Sequence, residues 1–471
     1  MRKTKIICTI GPSSESEEMI TKLCEAGMNV ARLNFSHGTH EEHKVKIDTL
    51  KKVRQKLNYP LAIMLDTKGP EYRVGVFENK KVEIADGAEF TFTTDEIIGD
   101  TSRVSVSYKN LPNEVAIGDR ILVNDGLLIF EVKEITDKDI ICNTITGGVM
   151  SDRKSMNFPE HVLQGDYLSE ADKSDIRFGI DNDVDFVAAS FVSKKEDVQS
   201  LRDFLNENGG ENIDIIAKIE NQSGVDNING ICEVADGIMV ARGDLGVEIP
   251  YKEVTVVQKY LIEKCRMIGK TVVTATEMLE SMINNPRPTR AEISDVSNAV
   301  YDGSTAIMLS GETAAGKHPI QAVEIMSSIA EYTEENIDYF KDYIDSHYVI
   351  KNNVDAVSKA ICTMAMDTDA KGIVISSISG KTVRFVSRFR CPVTIIGLTV
   401  DEKAYRKLNL NWGVVPIKCE IYDSVDKMLA HASMVAAEVL GLKKNDTVIL
   451  SGGEPDKNYG DTNTIKLEVI E

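Results

Sequence analysis

The sequence predicts an α/β protein: a (β/α)8 TIM barrel carrying an inserted small all-β lid domain and followed by a C-terminal open-sheet α/β domain. Three observations lead there. Short apolar runs alternate with helical stretches on both sides of a turn-rich segment, and the runs number eight, the strand count of such a barrel. Polar side chains collect at the C-terminal ends of those runs, where barrel enzymes keep their chemistry. At 471 residues the chain is too long for one hydrophobic core, so further domains are expected.

Residues 4–10 read as the first strand, and Ser14-Glu15-Ser16-Glu17 as a capping-box start for a helix ending near Gly27. Residues 28–35 form the next strand, Thr39-His40-Glu41-Glu42 caps a second helix, and residues 61–65 form a third strand ending in Asp66. From about 71 to 167 the pieces become short and β-rich, at 89–93, 103–107, 120–123 and 127–132. Turn signals divide them: Asp86-Gly87, Pro112-Asn113, Gly118-Asp119 and Asn124-Asp125-Gly126. Ser169-Glu170-Ala171-Asp172 opens a helix, and strands follow at 184–191, 213–220, 237–241, 271–275 and 305–310. Past about 335 a third unit alternates helix 354–366, strand 372–376, helix 382–389 and strand 392–398, ending in strands 447–450 and 464–469. The expected division is barrel at 1–70 and 169–335, lid at 71–168 and C-terminal domain at 336–471.

A net charge of −20 disfavours nucleic acid or an anionic membrane as partner, because phosphate backbones need a basic face. The eight cysteines show no C-x-x-C spacing and no accompanying His cluster, which fits reduced thiols of a cytoplasmic protein rather than zinc ligands or disulfides. The N-terminal apolar stretch stops at Gly11-Pro12 and is not a signal peptide. No run approaches the roughly 18 apolar residues of a membrane span.

The chemistry centres on Ile213 to Glu220. Side chains two apart on a strand share a face, so Lys218 and Glu220 project together at its C-terminal end. The run from Gly237 ends in Arg242-Gly243-Asp244, placing a second acid at the adjacent strand end. An ammonium beside two carboxylates suits a divalent metal with a phosphorylated or enolate-forming substrate. A Lys218–Glu220 structural ion pair with Asp244 capping a turn is the competing arrangement. Arg242-Gly243-Asp244-Leu245-Gly246 reads as a turn whose free N–H groups suit a carboxylate. Arg32, Asn34 and Ser36 alternate on one strand, with Asp66-Thr67 at the next strand end. These oxygens suit a monovalent cation, or equally well hydrogen-bonded polar groups of a barrel. Ser379-Gly380-Lys381-Thr382 approaches the end of a Walker A loop, but Ile375 stands where that motif needs Gly. Ser376, Ser377, Ser379 and Thr382 precede a helix, where hydroxyls serve phosphate binding or plain capping.

Taken together, the motifs resemble the pyruvate kinase family. They are Cys8-Thr9-Ile10-Gly11-Pro12, Asn34-Phe35-Ser36-His37-Gly38, Leu65-Asp66-Thr67-Lys68-Gly69-Pro70-Glu71, Lys218-Ile219-Glu220-Asn221 and Ala241-Arg242-Gly243-Asp244-Leu245-Gly246. Further along come Ala275-Thr276-Glu277-Met278-Leu279-Glu280-Ser281-Met282, Pro288-Thr289-Arg290-Ala291-Glu292 and Met308-Leu309-Ser310-Gly311-Glu312-Thr313-Ala314. The resemblance implies transfer of a phosphoryl group from phosphoenolpyruvate to ADP, giving ATP and pyruvate, the final step of glycolysis. It implies Mg²⁺ (or Mn²⁺) on Glu220 and Asp244, and K⁺ on Asn34, Ser36, Asp66 and Thr67. By the same resemblance Lys218 stabilises the transferring group and the leaving enolate, and Arg32 receives the phosphoryl group. Gly243, Asp244 and Thr276 receive the substrate carboxylate. Arg73, Lys154 and His37 approach the nucleotide, and Thr276 and Ser310 with water are candidate proton donors. Glu71, where other members carry Lys, goes with K⁺ dependence.

The resemblance further implies a homotetramer and a sugar-phosphate or nucleotide effector. The effector region is Ser376, Ser377, Ser379, Gly380, Lys381 and Thr382, with Gly452-Gly453 and Gly460-Asp461-Thr462-Asn463. The chain departs from the family's pattern at Tyr72-Arg73-Val74-Gly75, Asn124-Asp125-Gly126 and Lys154-Ser155, all in the insert. The alternatives are another Mg-dependent barrel acting on pyruvate or its enol, of aldolase or phosphoenolpyruvate mutase type, and a catalytically silent scaffold. The first has no use for Asn34, Ser36, Asp66 and Thr67. The second is disfavoured by the presence of Lys218, Glu220, Asp244 and Thr276.

Overall fold

Eight parallel strands close into a barrel: Lys5–Thr9, Val30–Asn34, Ala62–Asp66, Phe186–Ala189, Asp214–Ile219, Gly237–Ala241, Thr271–Ala275 and Ala306–Leu309. Each pairs with its neighbours in chain order, and the first closes on the last. The structure is a computed structural model and describes residues 1–159, 165–346, 348–453 and 462–471. All eight predicted runs are barrel strands, each within a few residues of its predicted bounds.

The strand period explains where the polar residues go. Ile7, Val30, Met64, Ala188, Ile216 and Met308 fill the barrel interior with Phe186, Met239 and Val273. Two positions further along the same strands stand Thr9, Arg32, Asp66, Ser190, Lys218 and Ser310. Alternation therefore turns those polar groups inward at the C-terminal mouth, above an apolar plug. The residues that alternate with them, such as Ile6, Cys8, Ile215 and Ala217, face outward and pack with the surrounding helices in the largest core cluster.

Thr39 and Glu42 form the expected capping box, as do Ser169 and Asp172. The box predicted at Ser14 and Glu17 does not form. The cap is Ser16, whose hydroxyl accepts from Met19 N, and Ser14 instead closes the Gly11 turn through its hydroxyl. Position N3 is Met19, so no side chain returns the bond.

The insert holds a seven-stranded mixed sheet and a two-stranded ribbon around Phe90, Phe92 and Phe130. The C-terminal domain has a five-stranded sheet ordered Val414–Lys418, Thr394–Thr399, Gly372–Ser376, Thr447–Gly452 and Thr464–Val469, with only the last strand antiparallel. It docks on the barrel floor, where Leu410 enters the interior cluster. Arg406 donates to Asp185 Oδ1 at 2.7 Å, and Arg384 and Lys407 bind Asp214, both acids lying at the starts of barrel strands. Among the described residues no helix is long and apolar enough to cross a membrane. All eight cysteines are unpaired, and all but Cys419 are buried.

Candidate active site

At the mouth, Asp66 sits between two cations. Arg32 Nε donates to its Oδ2 at 2.6 Å and Lys218 Nζ to its Oδ1 at 3.2 Å. Arg32 Nη1 also donates to Thr9 Oγ1 at 2.9 Å, and Lys218 Nζ to Ser190 Oγ at 2.7 Å. Lys218 Nζ lies 2.9 Å from Glu220 Oε1, as the shared strand face requires. Glu220 Oε2 accepts from the N–H of Phe191 at 2.6 Å.

The electrostatics follow from burial and pairing. Burial works against the Lys218 charge, but Asp66 and Glu220 outweigh it and hold the ammonium above its ordinary value. Burial likewise opposes the Asp66 charge, and Arg32 with Lys218 overcomes it, so Asp66 stays ionised. Glu220 behaves differently. Burial, aided by the nearby Asp244 charge, pushes its carboxyl upward despite Lys218. Two cations thus face three carboxylates, Asp66, Glu220 and Asp244. Glu220 Oε1 is buried and, beyond its ion pair with Lys218, takes no hydrogen bond. Both observations fit a divalent cation on Glu220 and Asp244. Among the described residues no three His, Cys, Asp or Glu side chains converge as a metal cage, and Mg²⁺ does not need one when water and substrate complete its shell.

Asn34 is the register partner of Asp66 on the adjoining strand. Its Oδ1 accepts from Ser36 N at 3.1 Å. Thr67 Oγ1 accepts from Ser190 N at 3.2 Å. Neutral oxygens beside one carboxylate match the donor set of a monovalent cation. Ser190, not named among the candidate residues above, ties this group to Lys218 by bonding Thr67 O at 2.7 Å. The missed signal is its position two residues after the interior Ala188.

The Arg242 segment is not a turn but a short helix, Arg242–Glu248. The N–H of Gly243 is not free, for it donates to Thr276 Oγ1 at 2.7 Å. Asp244 follows on the first turn of that helix. Thr276 and Glu277 both have positive φ, 68° and 54°, conformations that non-glycine residues hold only when the surroundings enforce them. Arg242 supplies that enforcement: it donates to Thr276 O at 2.6 Å and Ala275 O at 3.3 Å, braced by Asp295 at 2.7 Å. Ser310 N donates to Glu312 Oε2 at 2.7 Å, while Ser310 Oγ is buried without a partner.

Between the mouth and the insert lies a cavity of about 300 Å³. Arg73 and Lys154 line it from the insert, and Lys194, Asn221, Asp244 and Glu248 from the barrel. His37 is not brought there: its side chain is exposed, and its carbonyl accepts from His43 Nε2. In the C-terminal domain Ser376 ends a strand, and Ser377 N donates to Leu398 O. Ser379 Oγ accepts from Lys381 N, Gly380 has φ 72°, and Thr382 Oγ1 lies 2.7 Å from Thr462 Oγ1. Of the remaining effector-region residues, Gly460 and Asp461 lie outside the described residues.

The model of the pyruvate kinase barrel domain matches residues 1–323, and that of the pyruvate kinase alpha/beta domain residues 355–468. The pyruvate kinase of Clostridium acetobutylicum is 47% identical over 473 residues, with both chains fully covered. That of Staphylococcus aureus is 46% identical over 473 residues, covering all of this chain and 81% of the relative. The crystal structure of a pyruvate kinase from Cryptosporidium parvum superposes with a TM-score of 0.95 at 40% identity, covering 99% of this chain and 96% of the other. With barrel, insert, C-terminal sheet and mouth residues all in place, the chain belongs to the pyruvate kinase family.

Proposed function

We propose that this barrel mouth transfers the phosphoryl group of phosphoenolpyruvate to ADP, with the residues above in the following roles. The observation that carries the assignment is the joined set Arg32, Asp66, Lys218 and Glu220, buried together at the strand ends with Asp244 beside it. Phosphoryl transfer needs positioning and charge neutralisation more than covalent help. A preorganised ammonium and guanidinium supply both.

The bridging P–O bond of phosphoenolpyruvate breaks as a β-phosphate oxygen of ADP bonds to phosphorus. The electron pair passes to the enolate, which then takes a proton at its methylene carbon to give pyruvate. Arg32 steers the phosphoryl group, and Lys218 stabilises it in flight and then the enolate oxygen. Gly243, Asp244 and Thr276 receive the substrate carboxylate, with the Thr276 hydroxyl leaving Gly243 N to do so. The partnerless hydroxyl of Ser310 and that of Thr276 are placed to order the water that delivers the proton. Glu220 and Asp244 would hold Mg²⁺ or Mn²⁺, which would supply positive charge to the substrate oxygens. Asn34, Ser36, Asp66 and Thr67 would hold K⁺, which would add fixed positive charge to the site. Arg73 and Lys154 take the nucleotide phosphates.

For this reaction we divide the chain into barrel segments 1–70 and 169–335, the lid 71–168 and the C-terminal unit 336–471. The lid excludes water and so protects the transferring group from hydrolysis. We assign regulation to the loop from Ser376 to Thr382, reading a sugar phosphate or nucleotide, in a cytoplasmic homotetramer. The test is pyruvate formation from phosphoenolpyruvate and ADP, with Mg²⁺ and K⁺ varied separately and sugar phosphates and nucleotides added. No pyruvate with both cations present removes the assignment.

A further inference from the structure

The helix Arg242–Glu248 has two ends in two places. Its N-terminal end carries Gly243 and Asp244 at the barrel mouth. Its C-terminal end lies under the insert. There Glu248 Oε1 accepts from Asn157 Nδ2 at 2.8 Å. Asn157 ends the insert strand Ser155–Asn157, which follows Lys154 directly. Beside it, Val247 Cγ1 lies 3.5 Å from where a Cβ on Gly126 would sit, so the Asn124-Asp125-Gly126 loop rests on the same turn. Asp244 and Glu248 are four residues apart, so they share one face of the helix, and both line the cavity.

We propose that Glu248 is a positioning residue that seats the insert on the barrel and fixes Arg73 and Lys154 over the nucleotide subsite. The proposal rests on the phosphotransfer reading above and deepens it. Lys154 immediately precedes the Ser155–Asn157 strand, and Arg73 is the register partner of Ser155. A bond at Asn157 therefore sets the height of both cations through one short strand pair. The same helix carries Asp244, so insert position and metal-ligand position share one rigid element. In this role Glu248 acts through Asn157 rather than on the reacting atoms. Its carboxyl is half-buried and burial raises it to about 7, with the Asn157 amide and the backbone N–H of Phe158, both on the insert, as the partners that offset its desolvation.

The test is steady-state kinetics of the full chain with Mg²⁺ and K⁺, for wild type, Glu248→Ala, Glu248→Gln, Asn157→Ala and the double variant Glu248→Ala/Asn157→Ala. Losing a hydrogen bond to a charged group is typically worth a factor of about ten or more. The expected result is about a tenfold rise in KM for ADP in each single alanine variant. KM for phosphoenolpyruvate should change by less than about twofold, since that substrate is bound from the barrel. The double variant should match Glu248→Ala rather than multiply the two losses, because the contact that Asn157→Ala removes is already gone once Glu248 is Ala. Glu248→Gln, which keeps an acceptor for Asn157, should recover most of the ADP affinity. An unchanged KM for ADP in the alanine variants, or multiplicative losses, overturns the proposal. If Glu248→Ala does not fold, Asn157→Ala on the insert side carries the same comparison. Wild type without activity would count against the reaction itself, whereas active wild type with indifferent variants counts against Glu248 alone.

Discussion

The carboxylate of Asp66 lies 3.2 Å from the ammonium of Lys218, a residue 152 positions later in the chain. Asp66 also binds Arg32, so a single acid sets the spacing of the two cations at the barrel mouth. Lys218→Met removes the charge but keeps most of the side-chain volume. One preorganised electrostatic group is typically worth roughly 10²–10³ in rate. Turnover should therefore fall by at least that factor, while KM for phosphoenolpyruvate rises only modestly because Arg32 and the Gly243 end remain. Steady-state rates decide it: a near-normal turnover number in this variant removes Lys218 from the transfer step.

Glu71 leads to a second expectation. Its carboxylate contacts Arg73 and lies 3.7 Å from Lys68 at the start of the insert, so position 71 carries no free positive charge. On the proposed reading, K⁺ held by Asn34, Ser36, Asp66 and Thr67 supplies that charge. Replacing K⁺ by tetramethylammonium at constant ionic strength should remove most of the activity. Glu71→Lys should restore part of it by lending an ammonium. Full wild-type activity in tetramethylammonium contradicts the K⁺ assignment.

The barrel was legible because interior and exterior alternate with period two, and every strand ends where its apolar run ends. The Lys218–Glu220 pair was legible for the same reason: its geometry is local to one strand. What local pattern does not carry is the identity of the partner across the mouth. Nothing near Asp66 in the chain announces that its two oxygens are divided between Arg32 and Lys218. The Arg242 segment, with Gly at 243 and 246, reads as a turn from composition. It is helical because Arg242 and Gly243 N are held by Thr276, Ala275 and Asp295, contacts made by the neighbouring strand end and a later helix. The capping box assigned to Ser14 and Glu17 failed for a similar reason: Ser14 is claimed by Gly11, and the helix begins two residues later.

Arg242 is the basis of the third prediction. Its guanidinium holds the carbonyls of Ala275 and Thr276, and Thr276 stands at φ 68°. Such a backbone costs on the order of 1–3 kcal/mol and relaxes once the restraint is gone. Arg242→Ala should let the Thr276–Glu277 pair relax and move the hydroxyl from its bond with Gly243 N. The expected signature is a rise in KM for phosphoenolpyruvate of about tenfold or more, with KM for ADP much less affected. That is the reverse of the split expected at Glu248. Arg242→Lys should not rescue it, because one ammonium does not span two carbonyls and Asp295 as a planar fork does. Equal changes in both KM values would show a general loss of structure instead.

Lys5 carries the last prediction, at the barrel floor. It is 5% exposed, and its Nζ donates to Val414 O at 2.6 Å, a contact with the C-terminal sheet. Burial, reinforced by Arg2 and only partly offset by Glu334, brings the ammonium down to about 7. In the unfolded chain the same amine holds its proton to about 10.4. Between these values the unfolded state binds more protons, so this group makes stability rise with pH from about 7 toward 10, and below 7 its contribution is flat and unfavourable. Lys5→Met removes the group. Relative to wild type it should be more stable at pH 7 by on the order of 2–4 kcal/mol, and the difference should shrink as pH rises toward 10. Urea unfolding of both proteins at pH 6.5, 8 and 9.5 measures it, with the difference between the two curves as the readout because other groups titrate in both. Parallel curves across that range would mean that Lys5 keeps its ordinary proton affinity at the junction with Val414.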